Sequence, residues 1–201
     1  MPKLVDHEQR RRELGAAVWR VIRRDGVEAA SVRKVAQEAG WSAGALRHYF
    51  STQSELLTFA MQMVVERIEV RVGALEPPAD PREAVEQRLH ELLPLDKERR
   101  VENEVWLAFT GRGLVDPQLR ARHEEVDEEL RSACLGALQE LDGAGHLRPG
   151  LDLALETERL HGLLDGLALH TAMRPDRMSP DLIRSVLARH LDSLDPGEEG
   201  R

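Results

Sequence analysis

Three stretches of this chain open with a capping residue followed at once by proline and then a helix-forming run: Asp80-Pro81, Asp116-Pro117 and Ser179-Pro180. A proline at the first position of a helix gives up an N–H that would have no partner there, and its fixed φ already suits the helix. Inside a sheet the same proline would remove a ladder bond. In the first pair Glu83 also falls at the third helical position, where a carboxylate favours the N-terminus. The pattern starts the helices expected over 80–93, 117–141 and 179–193, and two more are expected over 97–113 and 152–173. Glu76-Pro77-Pro78-Ala79 breaks the chain before them, and GAGHLRPG (143–150) reads as a loop.

The earlier chain is helical by a different signal. Leu14, Val18, Val21 and Ile22 recur at i, i+4, i+7 and i+8, one apolar stripe through residues 7 to 24. Asp25-Gly26 stops it. Ser31 can cap a short second helix with Val32, Val35, Ala36 and Ala39 buried, closed by Gly40. Ser42 caps a third that ends near Phe50. Thr52 and Glu55 form the T-x-x-E capping box of a fourth, running to about Val72. Aromatic residues make up only 3% of the 201, too few for a β-sandwich or barrel. The expected fold is all-α, with about nine helices.

One cysteine, Cys134, excludes an internal disulfide framework and suits a reducing compartment. No apolar run approaches the roughly 18 residues of a membrane span, and no apolar stretch follows the charged N-terminus as a signal peptide requires. A cytoplasmic protein is expected. The charge is unevenly spread. Residues 1–50 hold ten Lys/Arg against six acids, a net of +4, so in a chain of net charge -8 the remainder carries -12. A basic head on an acidic body suggests a polyanion footprint confined to one end.

Residues 31–50 place two short helices on either side of Gly40-Trp41, which is helix–turn–helix spacing. Leu46 and Phe50 should face inward, with Trp41 packing at the turn. Ala43, Gly44, Arg47 and His48 are left outside. Small residues at the start of a recognition helix let its backbone approach base edges and phosphates closely. Arg47, one turn on, can reach a guanine edge or the backbone. Tyr49 and Ser31 offer hydroxyls to phosphates.

The stretch SVRKVAQEAGWSAGALRHYFSTQSELL resembles the DNA-binding region of the TetR family, whose pattern is roughly T-x-R-x-I-A-x-x-A-G-V-S-x-G-x-L-Y-x-H-F-x-x-K-x-x-L. Ser31, Arg33, Val35, Ala36, Ala39, Gly40, Ser42, Gly44, Leu46 and Phe50 occupy its positions, followed by Leu56. The resemblance implies a three-helix head (7–53, with the motif at 31–50). A fourth helix would join it to a ligand-binding and dimerisation body (54–195), leaving a disordered tail (196–201). It places Ser31, Arg33, Ser42, Ala43, Gly44 and Tyr49 where family members touch DNA. Lys34, Arg47, His48, Thr52 and Gln53 complete the expected surface, with Arg33 and Arg47 the candidate base readers. Three positions depart from the pattern: Arg47 replaces a tyrosine, Gln53 a lysine and Trp41 a smaller apolar residue. The LRHYF form, with the stretches 103–120 and 145–170, is similar to members with a betaine-repressor-type C-terminal region.

The implied function is a dimeric transcriptional regulator, a repressor released from a palindromic operator on double-stranded DNA by a small-molecule effector. Met61, Trp106, Phe109, Thr110, His161 and Asp165 are the candidate effector-pocket residues. Leu160, Leu163, Leu164 and Leu167 are the candidate contacts of a homodimer built from the last two long helices. Two other readings stay open: a helical ligand-binding or enzymatic protein whose head only docks, and a DNA-binding regulator with no effector.

No cofactor and no catalytic group is expected. Gly111-Arg112-Gly113 and Gly143-Ala144-Gly145 lack the third glycine and the preceding strand of a nucleotide loop and read as turns. His161 and Asp165 stand i, i+4, a spacing that metal sites use, but His170 lies about 140° around the helix from Asp165. Two ligands do not make a site, so no metal is expected. Cys134, i+4 from Leu130 and i-4 from Leu138, reads as core, with redox sensing the minor alternative.

Overall fold

The computed structural model describes residues 7–76 and 78–196; Lys3, Pro77 and the tail beyond 196 lie outside them. Among the described residues there are nine helices and no strand: α1 (His7–Asp25), α2 (Val32–Ala39), α3 (Ala43–Arg47), α4 (Gln53–Gly73), α5 (Pro81–His90), α6 (Lys97–Gly113), α7 (Pro117–Gly143), α8 (Leu153–Met173) and α9 (Pro180–Asp192). No helix among them is long and apolar enough to cross a membrane.

The helix starts follow from the caps. The Asp80 carboxylate accepts the Arg82 N–H at 2.8 Å, Asp116 that of Gln118 at 3.0 Å, and the Ser179 hydroxyl that of Leu182 at 3.2 Å. Asp152, with no proline behind it, caps α8 through the N–H groups of Ala154 and Leu155. The α4 capping box forms only in part. Thr52 Oγ1 accepts the Glu55 N–H at 3.1 Å, but the Glu55 carboxylate reaches back to the backbone N–H and hydroxyl of Ser51 rather than to Thr52. Those bonds, the Ser51 N–H foremost, hold the Glu55 carboxyl below the usual range. Gly111-Arg112-Gly113 is not a turn: all three residues belong to the last turn of α6.

The chain divides into two compact units. One takes in the residues up to Arg67 together with Glu104–Arg122; the other takes in Ile68–Asn103 and His123 onward. In the first unit, Leu14, Val18, Val21 and Ile22 of α1 are almost wholly buried, as are Val35, Ala36 and Leu46. Val32 and Ala39, expected in this core, are only half-buried. Phe50 packs on Phe59 of α4 with ring centroids 5.0 Å apart. The unit holds more than α1–α4. The Ser54 hydroxyl, in the first turn of α4, donates to the Asp116 carboxylate that starts α7, and Val105, Phe109 and Leu119 are buried.

The second unit has its own core, built from Val85 and Leu89 of α5, Cys134, Leu138 and Leu141 of α7, Leu160, Leu164 and Leu167 of α8, and Ile183, Leu187 and Leu191 of α9. The Asn103 side-chain amide donates to the Ala168 carbonyl at 2.9 Å. Arg71, at the end of α4, donates to both oxygens of Glu102, at 2.8 and 2.7 Å, and to Glu91 at 2.8 Å. Cys134 is core, as expected: burial, reinforced by the charges of Asp165 and Glu158, pushes its thiol up to about 12. A thiol held protonated in this way is inert as a nucleophile.

Two half-buried histidines of this unit sit in surroundings that favour the neutral ring. Burial lowers the His90 pKa from 6.5, helped by Arg184 and Arg99, and burial with Arg159 lowers that of His190. Below about pH 6.5 the unfolded chain therefore binds protons that the folded chain refuses, and stability falls with pH until the folded values are passed. The depressed carboxylates, Asp25, Glu38, Glu55, Asp96 and Asp116, act only further down, below the ordinary carboxylate range. Thermal unfolding should show a lower Tm at about pH 5.5 than at about pH 7.5, and His190→Gln should flatten that slope. An unchanged slope in the variant would assign the loss elsewhere.

Candidate DNA interface

The α2–turn–α3 unit is set by two serines and a glycine. The Ser31 hydroxyl accepts the Lys34 N–H at 3.3 Å and the Ser42 hydroxyl accepts the Ala45 N–H at 3.1 Å. Between them Gly40 takes φ +69°, a left-handed conformation that side chains disfavour, and the Trp41 N–H returns to the Ala36 carbonyl at 2.9 Å. α3 is shorter than the sequence suggested. It ends at Arg47 because the N–H groups of both Tyr49 and Phe50 converge on the Leu46 carbonyl, each at 2.9 Å, tightening the last turn. His48 and Tyr49 thus stand in the turn after the helix. Leu46 and Phe50 face inward as expected.

Arg33, Lys34, Ser42, Ala43, Gly44, Arg47, His48, Tyr49 and Thr52 are exposed, and Ser31 and Gln53 half-buried. A Cβ added at Gly44 would meet only the Ser42 hydroxyl, at 3.9 Å, so the approach to this backbone is open. The polar groups are not equally available. Lys34 Nζ lies 3.3 Å from Asp25, whose carboxyl is held below the usual range chiefly by Arg24. The Gln53 amide donates to the Ala30 carbonyl. Ser31 and Ser42 accept with one lone pair each, which leaves their O–H free to donate outward. Arg11 pairs with Glu66, and Arg20 and Arg24 share Glu38. Much of the head's positive charge is thereby spent internally. Arg33 and Arg47 are exposed and, among the described residues, make no ion pair.

Sequence reasoning missed one group on this face. The Tyr49 ring lies 5.5 Å from that of Trp41, tilted by 56°, and the Arg10 guanidinium of α1 sits 6.0 Å over Trp41. Trp41 therefore forms a platform joining α1 to the turn after α3, rather than only filling the α2–α3 corner. The contact of Arg10 crosses thirty-one residues of sequence, which no local pattern reveals.

The other predicted sites fare differently. Met61, Trp106, Phe109 and Thr110 fall in the first compact unit, and His161 and Asp165 in the second. Phe109 and Met61 are buried; Trp106 and Thr110 are half-buried, one turn apart on α6. The predicted dimer contacts lie in the core of the second unit and at its edge. Leu160, Leu164 and Leu167 are buried in the second unit's own core, and Leu163 packs against it. Leu160, Leu164 and Leu167 are thus covered within their own protomer, whereas Leu163 keeps part of its surface open. α8 instead exposes Leu155, Leu169 and Met173, and α9 exposes Leu182. Cβ atoms added at Gly162 or Gly166, between those leucines, would meet nothing within 4 Å.

Comparison with known proteins matches this geometry. The model for bacterial regulatory proteins of the tetR family matches residues 15–60, and that for the C-terminal region of BetI-type transcriptional repressors matches residues 81–196. The chain belongs to the TetR family. It is 42% identical to the HTH-type transcriptional regulator PksA of Bacillus subtilis over 196 residues, 96% of this chain and 94% of that one. A transcriptional regulator from Rhodococcus sp. Rha1 has a similar structure, with TM-score 0.76 and 30% identity, covering 92% of this chain and 95% of that one. The multidrug binding protein EbrR, solved with ethidium, aligns with TM-score 0.64 and 25% identity over 90% and 98% of the two chains. The chain is therefore a DNA-binding transcriptional regulator and not an enzyme. The α2–α3 motif lies wholly within the first matched segment.

Proposed function

We propose that this regulator is a homodimeric repressor that grips a palindromic operator through its two α2–α3 motifs and is released by a small organic cation. The observation that carries the DNA reading is the pair Arg33 and Arg47. They are exposed guanidiniums free of ion pairs among the described residues, flanking the bare Ala43-Gly44 backbone. In this reading residues 7–53 form the DNA-binding domain and 54–195 the ligand-binding and dimerisation domain. Arg47 and Arg33 read bases, while Ser31, Ser42, Tyr49, His48 and Thr52 hold phosphates by hydrogen bonds that set register. Lys34 and Gln53, already engaged within the head, contribute less.

Two-fold symmetry places the half-sites about one helical turn apart or a multiple of it. The test is fluorescence anisotropy of the purified protein on its own upstream intergenic DNA against scrambled DNA. A preference of about 10³ or more with two protomers per site supports the reading. Equal weak binding to the upstream fragment and to every fragment from a genome-wide pull-down removes it.

The dimer face we assign to the exposed stripe Leu155, Gly162, Gly166, Leu169 and Met173 of α8, with Leu182 of α9. Small residues there let a partner helix approach closely, and the leucines supply apolar contact. Leu169 is 48% exposed in the protomer, so Leu169→Glu should leave the fold intact. Light scattering should then show a monomer, with operator affinity down by more than tenfold. A variant that stays dimeric would move the interface elsewhere.

For the effector, support comes from the net -12 beyond residue 50 and from the ethidium bound by EbrR. Trp106 and Thr110, half-buried on one face of α6, are the contact residues proposed. An effector should lower operator affinity while quenching Trp106 fluorescence, and Trp106→Phe should abolish the quench. A regulator without an effector would show neither effect across a panel of organic cations.

A further inference from the structure

The second compact unit contains a group of side chains that DNA binding does not use. His161 of α8 has its side chain only 10% exposed. Its Nε2 is buried and has no hydrogen-bond partner. A buried ring nitrogen left in that state is costly unless something else occupies its lone pair or its proton. Two carboxylates face it. Asp127 Oδ1, from α7, lies at 3.5 Å, and Asp165 Oδ2, one turn further along α8, at 3.7 Å. One donor atom from each of the three residues lies within 4.8 Å of the others.

These separations are too long for hydrogen bonds, yet they approach those of ligands around a metal. Bonds of about 2.0–2.1 Å to a tetrahedral ion put neighbouring donors roughly 3.3 Å apart. Small rotations of the two aspartates, which are about two-fifths exposed, would close the remainder. A neutral imidazole with two carboxylates suits a divalent ion of the zinc class; magnesium and calcium prefer an all-oxygen shell. Three protein ligands on a half-open rim leave a further position for water.

We propose that Asp127, His161 and Asp165 form a zinc-class divalent cation site bridging α7 and α8. The imidazole Nε2 donates its lone pair to the ion and each carboxylate gives one oxygen. The spacing of His161 and Asp165 supplies two of these ligands from one helix face; Asp127, thirty-four residues before His161 in the sequence, supplies the third. Loading would tie the two helices together across the edge of this unit's core.

The test uses the full-length protein, stripped with EDTA and titrated with zinc chloride by calorimetry, beside His161→Gln and Asp127→Asn. The expected result is one zinc per chain, with binding weakened by more than about tenfold in each variant, a loss that even an outer-shell change can bring. Zinc should also raise the Tm of the unmodified chain and leave that of Asp127→Asn unchanged. Asp127 sits on the rim, so its variant decides the matter even if His161→Gln unsettles the core. Magnesium in millimolar excess should not displace the zinc. Absence of stoichiometric uptake, binding in either variant as tight as in the unmodified chain, or displacement by magnesium would each overturn the assignment.

Discussion

Arg71→Met is expected to cost the second unit about 3 kcal/mol of stability, the low end of what breaking a buried ion pair by removing one partner costs. The reason lies with the group left behind. Glu102, with a side chain only 5% exposed, loses both guanidinium bonds, at 2.8 and 2.7 Å, and Glu91 loses its bond at 2.8 Å. Methionine fills much of the volume but offers no donor to Glu102, whereas Glu91 keeps its bond to Arg99 at 3.1 Å. Chemical denaturation monitored by circular dichroism would show it as a lower midpoint with little change in slope. Arg71→Met combined with Glu102→Gln should recover part of the loss, because the amide no longer buries a charge. Arg71 ends α4, the helix that begins just after the DNA-binding motif, so operator affinity should be measured on the same samples. A midpoint unchanged in the single variant would mean that Glu102 does not depend on Arg71 for its compensation.

Replacing Arg33 and Arg47 together by alanine should weaken specific operator binding by about 2–6 kcal/mol, taking 1–3 kcal/mol for each base-reading guanidinium. The fold should be untouched, since both side chains are exposed and unpaired among the described residues. Lys34→Ala should cost less, because Lys34 already holds Asp25 at 3.3 Å. Competition against scrambled DNA separates the roles. Loss of discrimination marks a base reader, whereas equal loss on every sequence with a shallower salt dependence marks a phosphate contact. If the double variant still discriminated as well as the unmodified chain, sequence readout would have to come from elsewhere on the head.

Helix existence was legible wherever a cap is made by residues within three positions of each other. Ser31, Ser42, Asp80, Asp116 and Ser179 all bond backbone N–H groups two or three residues ahead, and such chemistry is written locally in the chain. The exposure of Ala43, Gly44, Arg47 and His48 was legible for the same reason. What escaped was long-range. The pairing of Lys34 with Asp25, the use of the Gln53 amide on Ala30, and the platform of Arg10 and Trp41 all depend on how the helices pack. The proposed dimer face shows a deeper ambiguity. An apolar stripe such as Leu160, Leu164 and Leu167 satisfies a protomer's own core as well as it would a partner's, and periodicity alone cannot separate the two. The exposed stripe reads weakly because two of its members, Gly162 and Gly166, carry no side chain at all.

Cys134, the sole cysteine, is fully buried with its thiol pushed up to about 12. A thiol reagent in neutral buffer can therefore modify this chain only when the core of the second unit opens. The rate of labelling becomes a clock for that opening, readable by mass spectrometry with no change to the sequence. Slower labelling with zinc present would report directly how firmly the ion holds the unit shut.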